Sequence, residues 1–355
     1  MYAMHFYRIY ESSGLFDLNQ LEVSLPGSGH SYSRTGLSRV KTKSIQMEVL
    51  PLLLRLGTGS VEKDGYLLEM EVQARIYDIG AISICLSYIN RNEDKSNLEE
   101  LALIFAGQEG MEALFEEKLR IIHSVLKVCV ADLIMDSEFY EDYTIYYINQ
   151  PSEIDDPVSL LMGEKAEFSS LIKEQVLSNR LSYSTDDYVI LTWDTALICD
   201  PESANDLRDL IEFANVQLLE LRYYDNELSK NMDKMYVDIE IAEKKSRFSR
   251  TRQYRKIISA QMELIADLTE VTEKIGNLIK ITEDVYYARV YQTALKVLRT
   301  AQWNESVERK LQVIQRNYAL LSNEVDVRHS YFLEWIIIIL IALEFGFAIL
   351  EAVLR

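Results

Sequence analysis

Between Asp200 and Leu228 the chain reads DPESANDLRDLIEFANVQLLELRYYDNEL, and this stretch divides it into two kinds of sequence. All five prolines, Pro26, Pro51, Pro151, Pro157 and Pro201, lie at or before Pro201, and only Gly276 and Gly346 interrupt the glycine-free run that follows. Ser203 can cap a helix start, with Asp206 placing a carboxylate where the helix dipole favours it. From there a four-three spacing holds through Leu207, Ile211, Ala214, Leu218, Leu221, Asp225, Leu228, Met232, Met235, Ile239 and Ala242. That is a heptad seam with one acid, Asp225, set in it to specify register or partner.

A second run, Ile257, Gln261, Leu264, Leu268, Val271, Ile275, Leu278, Thr282 and Val285, is offset by one residue from the first. The offset implies a turn, a stutter or a new helix between them. A third run, Val307, Leu311, Ile314, Tyr318, Leu321 and Val325, leads into an apolar C-terminus. These seams fit either a coiled coil between subunits or an antiparallel bundle within one, since periodicity does not say where the partner helix comes from.

Upstream of Pro201 the pattern is mixed. Met4 to Tyr10, Tyr66 to Tyr77, Ala81 to Ile89, Tyr140 to Ile148 and Tyr188 to Cys199 carry aromatic and β-branched residues at strand density. Asn97 to Phe105, Met111 to Leu133 and Lys165 to Leu177 repeat apolar residues every three or four positions and read as helices. Gly27 to Thr42 reads as a loop, and GTGSVEKDG at Gly57 to Gly65, which lacks the Lys-Ser/Thr ending of a phosphate loop, as a turn. The expected architecture is an α+β domain over 1–201, an all-α coiled-coil or helical-bundle stalk over 202–330, and one transmembrane helix over 331–355.

A formal charge of −19 and a pI near 4.8 exclude a global nucleic-acid binder, and no DNA partner is expected. The three cysteines, Cys85, Cys129 and Cys199, are widely spaced in apolar surroundings, as buried thiols of a reducing compartment would be. No zinc spacing, cofactor motif or secretory signal is visible. The four histidines have neither metal spacing nor a neighbouring nucleophile, so no enzyme is expected.

Trp335 to Leu354 reads WIIIILIALEFGFAILEAVL and would rise roughly 30 Å as a helix, the thickness of a bilayer core. It predicts a single-pass C-terminal anchor that leaves the rest of the chain on the cytoplasmic face of the plasma membrane. Glu344 falls at the middle of this span, and Ala348 and Glu351 share its face. Such a stripe suits contact between subunits.

Arg328, His329, Ser330, Leu333, Glu334 and Trp335, followed by Ile336, Ile337, Leu340, Ile341 and Glu344, resemble the C-terminal signature of the "required for meiotic nuclear division" family. That family is also called YagE-like, or domain of unknown function 155. The resemblance implies a membrane-anchored oligomer without established enzymatic activity, in a family whose mitochondrial members tether ribosomes near the inner membrane. A prokaryotic member at the plasma membrane is the expected form.

Against the acidic background, Lys244, Lys245, Arg247, Arg250, Arg252, Arg255 and Lys256 make one basic island, interleaved with Phe248 and Tyr254. An island of this kind binds anionic lipid or RNA, including ribosomal RNA, or neutralises neighbouring acidic helices. The functional expectation is an oligomeric, membrane-anchored scaffold presenting its α+β domain to a protein or ribonucleoprotein. The alternative is a ligand-binding effector or enzyme, with a pocket in the α+β domain that signals through the stalk.

Overall fold

The computed structural model describes residues 1–355 except 13, 25–30, 35–44, 47–48, 92–95, 128–129, 131–132, 152–153, 203–204, 278–279, 282–284 and 355. The expected cap at Ser203, the thiol of Cys129 and most of the 27–42 loop lie outside the described residues. The chain divides into two units, Met1–Tyr223 with Val271–Asn304, and Tyr224–Glu270 with Glu305–Arg355. In outline it is an N-terminal α/β sheet domain followed by a helical region.

The strands are β1 (Tyr2–Ser12), β2 (Ser31–Arg34), β3 (Ile45–Gln46), β4 (Leu52–Lys63), β5 (Tyr66–Ile76), β6 (Ala81–Asn90), β7 (Met135–Ile148), β8 (Arg180–Leu181), β9 (Tyr188–Leu191), β10 (Thr195–Cys199) and β11 (Lys280–Ile281). The helices are α1 (Leu18–Ser24), α2 (Ser96–Ile104), α3 (Glu112–Lys127), α4 (Pro157–Met162), α5 (Ser170–Leu177), α6 (Asn205–Glu243), α7 (Arg247–Asn277), α8 (Val285–Val297) and α9 (Thr300–Leu354). Among the described residues the main sheet has nine strands in the order β2-β4-β5-β6-β1-β7-β10-β9-β8, and β3 pairs separately with β11. Among the described residues of the main sheet only the β7–β10 pair is parallel.

Every residue of β1 is buried, so this strand must be covered on both faces. Side chains alternate along a strand, and Tyr2, Met4, Phe6 and Tyr10 enter a core shared with α2, the turn after it, α3 and α4 through Leu101, Phe105, Phe115, Ile122 and Leu160. Tyr7 and Ile9 point the other way, into a core built with Leu210, Phe213 and Ala214 of α6 and Val290 and Ala294 of α8. Burial of one such aromatic or aliphatic side chain stabilises the fold by about 1.5–3 kcal/mol.

The GTGSVEKDG stretch is mostly strand. β4 runs to Lys63, and the turn proper is Asp64–Gly65, both with positive φ (52° and 81°), as a two-residue hairpin with right-handed strand twist demands. Gly59 lies inside β4, where a Cβ would sit 2.6 Å from Leu114 Cδ1. α3 therefore packs on the strand through the space a side chain would fill.

α6 is continuous, but its two halves meet different surroundings. From Asp206 to Leu221 it is buried on almost every side, as a core helix is, rather than along one seam. Farther along, Met235 and Ala242 pack with Tyr254 and Ile257 of α7 and Leu321 and Val325 of α9. The first seam thus finds a partner within the same chain, and the register offset falls at the turn between α6 and α7. Asp225 serves that packing: its Oδ1 accepts from Lys310 Nζ and Ser306 Oγ, both at 2.7 Å, and its carbonyl accepts from Lys310 at 2.9 Å. Asp225→Leu strips a half-buried lysine of its counter-charge and is expected to lower stability by about 1–3 kcal/mol in urea unfolding.

The membrane anchor is corrected. Among the described residues no helix is long and apolar enough to cross a membrane. Trp335–Leu343 is the uninterrupted apolar part, and it spans roughly 13 Å before Glu344, far short of the ~30 Å of a bilayer core. This run belongs to α9, the same helix that packs in the bundle through Leu321 and Val325. With the span goes the placement on the cytoplasmic face of a plasma membrane. The side chains of Ala348 and Glu351 lie outside the described residues, while Trp335 and Glu344 are exposed.

Candidate functional site

The α6-facing side of the sheet carries polar residues where a core would ordinarily be apolar. Strand register sets them in rows. Gln73, Cys85 and Tyr7 are cross-strand neighbours on β5, β6 and β1; Leu53, Arg75, Ser83 and Ile9 form the next row, from β4 to β1; and Ser87 and His5 lie beyond. α6 answers with Arg208, Asp209 and Glu212, which its pitch places on one side of the helix.

Arg75 is the hub. Its Nη2 donates to Asp209 Oδ1 at 2.7 Å and its Nη1 to Glu212 Oε2, while Tyr77 Oη donates to Glu212 Oε1 at 3.1 Å. Burial opposes the charge on Arg75, but Glu212 and Asp209 outweigh it and hold its pKa well above the usual value. Burial likewise pushes the Glu212 carboxyl up, against the pull of Arg75.

Arg208 is differently placed. The neighbouring acids are taken up by Arg75, and Arg208 Nε is buried with no hydrogen-bond partner among the described residues. Its Nη1 lies 3.4 Å from both ring nitrogens of His5, facing the imidazole rather than pairing with a lone pair. His5 Nδ1 is instead 2.9 Å from Ser87 Oγ. Beside Arg208 opens a cleft with about 230 Å³ of empty volume, partly continuous with solvent, lined by Tyr7, Leu53, Gln73, Ala74, Arg75, Ser83, Cys85, Arg208 and Glu212. Its enclosed part takes only a water-sized guest, so a larger ligand must sit at the solvent-open side.

Burial, assisted by the Arg208 charge, holds the His5 pKa well below 6.5. A histidine kept neutral by the fold contributes stability that is fully present above its unfolded pKa of about 6.5 and is lost as pH falls below it, because the unfolded chain then binds the proton more readily. Urea unfolding midpoints should therefore fall below about pH 6.5, and His5→Gln should flatten that part of the profile. Burial also pushes the Cys85 thiol and the Tyr7 phenol up, which keeps both neutral. A neutral thiol is a weak nucleophile.

Sequence reasoning singled out none of these cleft residues as a site. What it did single out lies elsewhere. Lys244 and Lys245 form the turn after α6, where Lys244 pairs with Glu240 at 2.6 Å and Lys245 reaches Gln253 at 3.3 Å. Arg250 Nη2 donates to the Glu243 carbonyl at 2.6 Å, closing the end of α6. Arg252, Arg255 and Lys256 are exposed on α7, and the side chain of Arg247 lies outside the described residues. Part of the island thus secures a helical turn, and part faces solvent. Among the described residues no three His, Cys, Asp or Glu side chains gather to hold a metal.

Residues 1–206 match the family model described as "Uncharacterized protein MJ0711, N-terminal domain". The chain belongs to that family. Its curated relative, the uncharacterized protein MJ0711 of Methanocaldococcus jannaschii, is 29% identical over 254 residues, covering 68% of this chain and 73% of that protein. No solved structure matches. The meiotic-nuclear-division resemblance is corrected by this finding. It rested on Arg328 to Glu344, where a short polar motif meets an apolar run whose composition makes chance agreement easy. The side chains of Arg328 and His329 lie outside the described residues, and Ser330, Leu333 and Glu334 are exposed on α9. The family's N-terminal domain contains every sheet residue of the cleft, from Tyr7 to Cys85, and ends just before Arg208.

Proposed function

We propose that this protein is a ligand-binding effector whose sheet domain takes a small anion, a carboxylate or phosphate group, at the cleft beside Arg208. The observation that carries this reading is the buried Arg208 Nε, a charged donor without an acceptor among the described residues. An unmatched buried donor is costly, and an anion drawn to the guanidinium from the solvent-open side would add a hydrogen-bond acceptor beside it. Gln73 and Ser83 add neutral polar groups that would orient the guest, while Leu53 gives an apolar wall. Binding, rather than catalysis, suits the neutral Cys85 and His5, which leave no activated nucleophile–base pair. The helix that carries Arg208 runs unbroken to Glu243. A thermal-shift screen of the full chain against phosphate, sulfate, mono- and dicarboxylates and nucleotides tests the reading. A saturable rise in Tm with one of these classes is expected, and no rise with any of them would count against it.

A scaffold that oligomerises is the second reading, favoured by the exposed side chains from Trp335 to Leu343 on α9, among them Ile337 at 55% and Leu340 at 58% exposure. A helix segment apolar on all sides requires apolar surroundings, which copies of the same segment provide. Sedimentation of the intact chain beside a variant with Ile337, Leu340 and Ile341 changed to Ser distinguishes an oligomer from a monomer.

A further inference from the structure

A second polar site lies at the other end of β1, roughly 18 Å along α6 from Arg208. Glu11, in register with Ala81, is 1% exposed and Glu220 of α6 is 0% exposed. Their carboxyl groups are within hydrogen-bonding reach of one another, yet all four oxygens lack a hydrogen-bond donor among the described residues. No arginine, lysine or histidine is among the groups acting on either, and the charge of Asp78 adds to theirs. Two buried carboxylates without a cation are strongly unfavourable, and burial pushes both pKa values up, so each group holds a proton unless a cation takes its place.

The surroundings add acceptors rather than donors. Gly80 has φ of +116°, and a Cβ built on it would meet the Gly14 carbonyl oxygen at 2.7 Å, the Ser12 carbonyl oxygen at 2.9 Å and Glu11 Oε1 at 3.0 Å. Three oxygens therefore crowd against one face of Gly80, close to one another, as only a residue without a side chain allows. Ser12 N and Oγ, the donors of this turn, are both spent on the Gly80 carbonyl, at 3.2 and 2.6 Å.

We propose that Glu11 and Glu220, completed by the carbonyl oxygens of Ser12 and Gly14 and by water, bind a hard divalent cation, Ca²⁺ or Mg²⁺. An all-oxygen set of carboxylates and carbonyls is the ligand chemistry of these ions, and the mixture with backbone carbonyls favours Ca²⁺. Two carboxylates balance the charge of one such ion. The site ties the end of β1 and the turn before β6 to the middle of α6, so it also staples helix to sheet.

The test is calorimetric titration of the full chain, stripped with chelator, with CaCl2 and with MgCl2 in parallel, for wild type, Glu11→Gln and Glu220→Gln. Wild type is expected to bind one of the ions stoichiometrically and to melt at higher temperature as its concentration rises. Each Gln variant should lose at least about tenfold in affinity. Each should also melt no lower than stripped wild type, because one repelling charge is gone. Stripped wild type that binds neither ion overturns the proposal whatever the variants do, and leaves a proton shared by the pair. Variants that bind as tightly as wild type overturn it equally. If one variant does not fold, the other carries the comparison.

Discussion

Arg75→Ala is expected to destabilise the sheet domain by about 3–5 kcal/mol, the cost of leaving buried charges without their partner. Asp209 and Glu212 are 7% and 4% exposed, and Arg75 is the cation that both of them bind. Truncating it strands two carboxylates against the sheet. Urea unfolding should show a lower midpoint with an unchanged slope, and the deficit should narrow as pH is lowered, since stranded carboxylates escape their penalty by taking up protons. Replacing all three together, with Arg75→Met, Asp209→Leu and Glu212→Leu, should recover most of the stability, because apolar side chains of similar volume often replace a buried ionic set without loss. A single variant no less stable than wild type would mean that the network is not closed as the structure shows it.

Arg208→Gln is expected to have the opposite profile. Arg208 makes no ion pair with a carboxylate among the described residues, although the charges of Glu212 and Asp209 act on it, so its loss should cost less stability than that of Arg75. Its effect should fall on ligand affinity. A charge-assisted hydrogen bond contributes about 1.5–3 kcal/mol, so the variant should bind the anion found by screening roughly 10- to 150-fold more weakly. Arg208→Lys should recover only part of this, because an ammonium does not reproduce the guanidinium fork. Equal affinity in wild type and Arg208→Gln would remove the cleft from the account.

The contrast between these two arginines was not legible in the sequence, and the reason is distance along the chain. Arg75 meets Asp209 and Glu212 across more than a hundred residues, and nothing local marks them as partners. On a helical wheel Arg208, Asp209, Glu212 and Glu220 fall outside the Leu207-Ile211-Ala214 seam, so they read as solvated positions. They are buried because the sheet presents its own polar side chains, His5, Arg75, Tyr77 and Glu11, to the same face. The one local signal was the odd-numbered set His5, Tyr7 and Glu11 in a strand otherwise rich in apolar residues, which implies a polar partner layer if both faces are covered.

The fold was more legible. The aromatic and β-branched runs at Met4, Tyr66, Ala81 and Tyr140 are strands, and Pro201 does precede the long helices. β4 was hidden because Arg55, Gly57 and Gly59 break its alternation, and only tertiary packing against Leu114 explains the glycine in its middle. Hydrophobic period located α6 as a helix but could not tell a seam from a core helix, since Phe213, Val216 and Leu219 make its first half apolar beyond the seam positions. The C-terminal run resembles a membrane span in composition alone, and Glu344 in its middle limits its reach.

The most direct measurement is the NMR titration of the His5 ring in the full chain, with the best-binding anion and without it. Burial and the Arg208 charge both hold its pKa down. An anion bound at Arg208 neutralises the second of these, so the His5 resonances should shift saturably and the ring should take up its proton at higher pH when the ligand is present. His5 resonances that do not move at saturating ligand, with an unchanged titration curve, would contradict binding at this cleft.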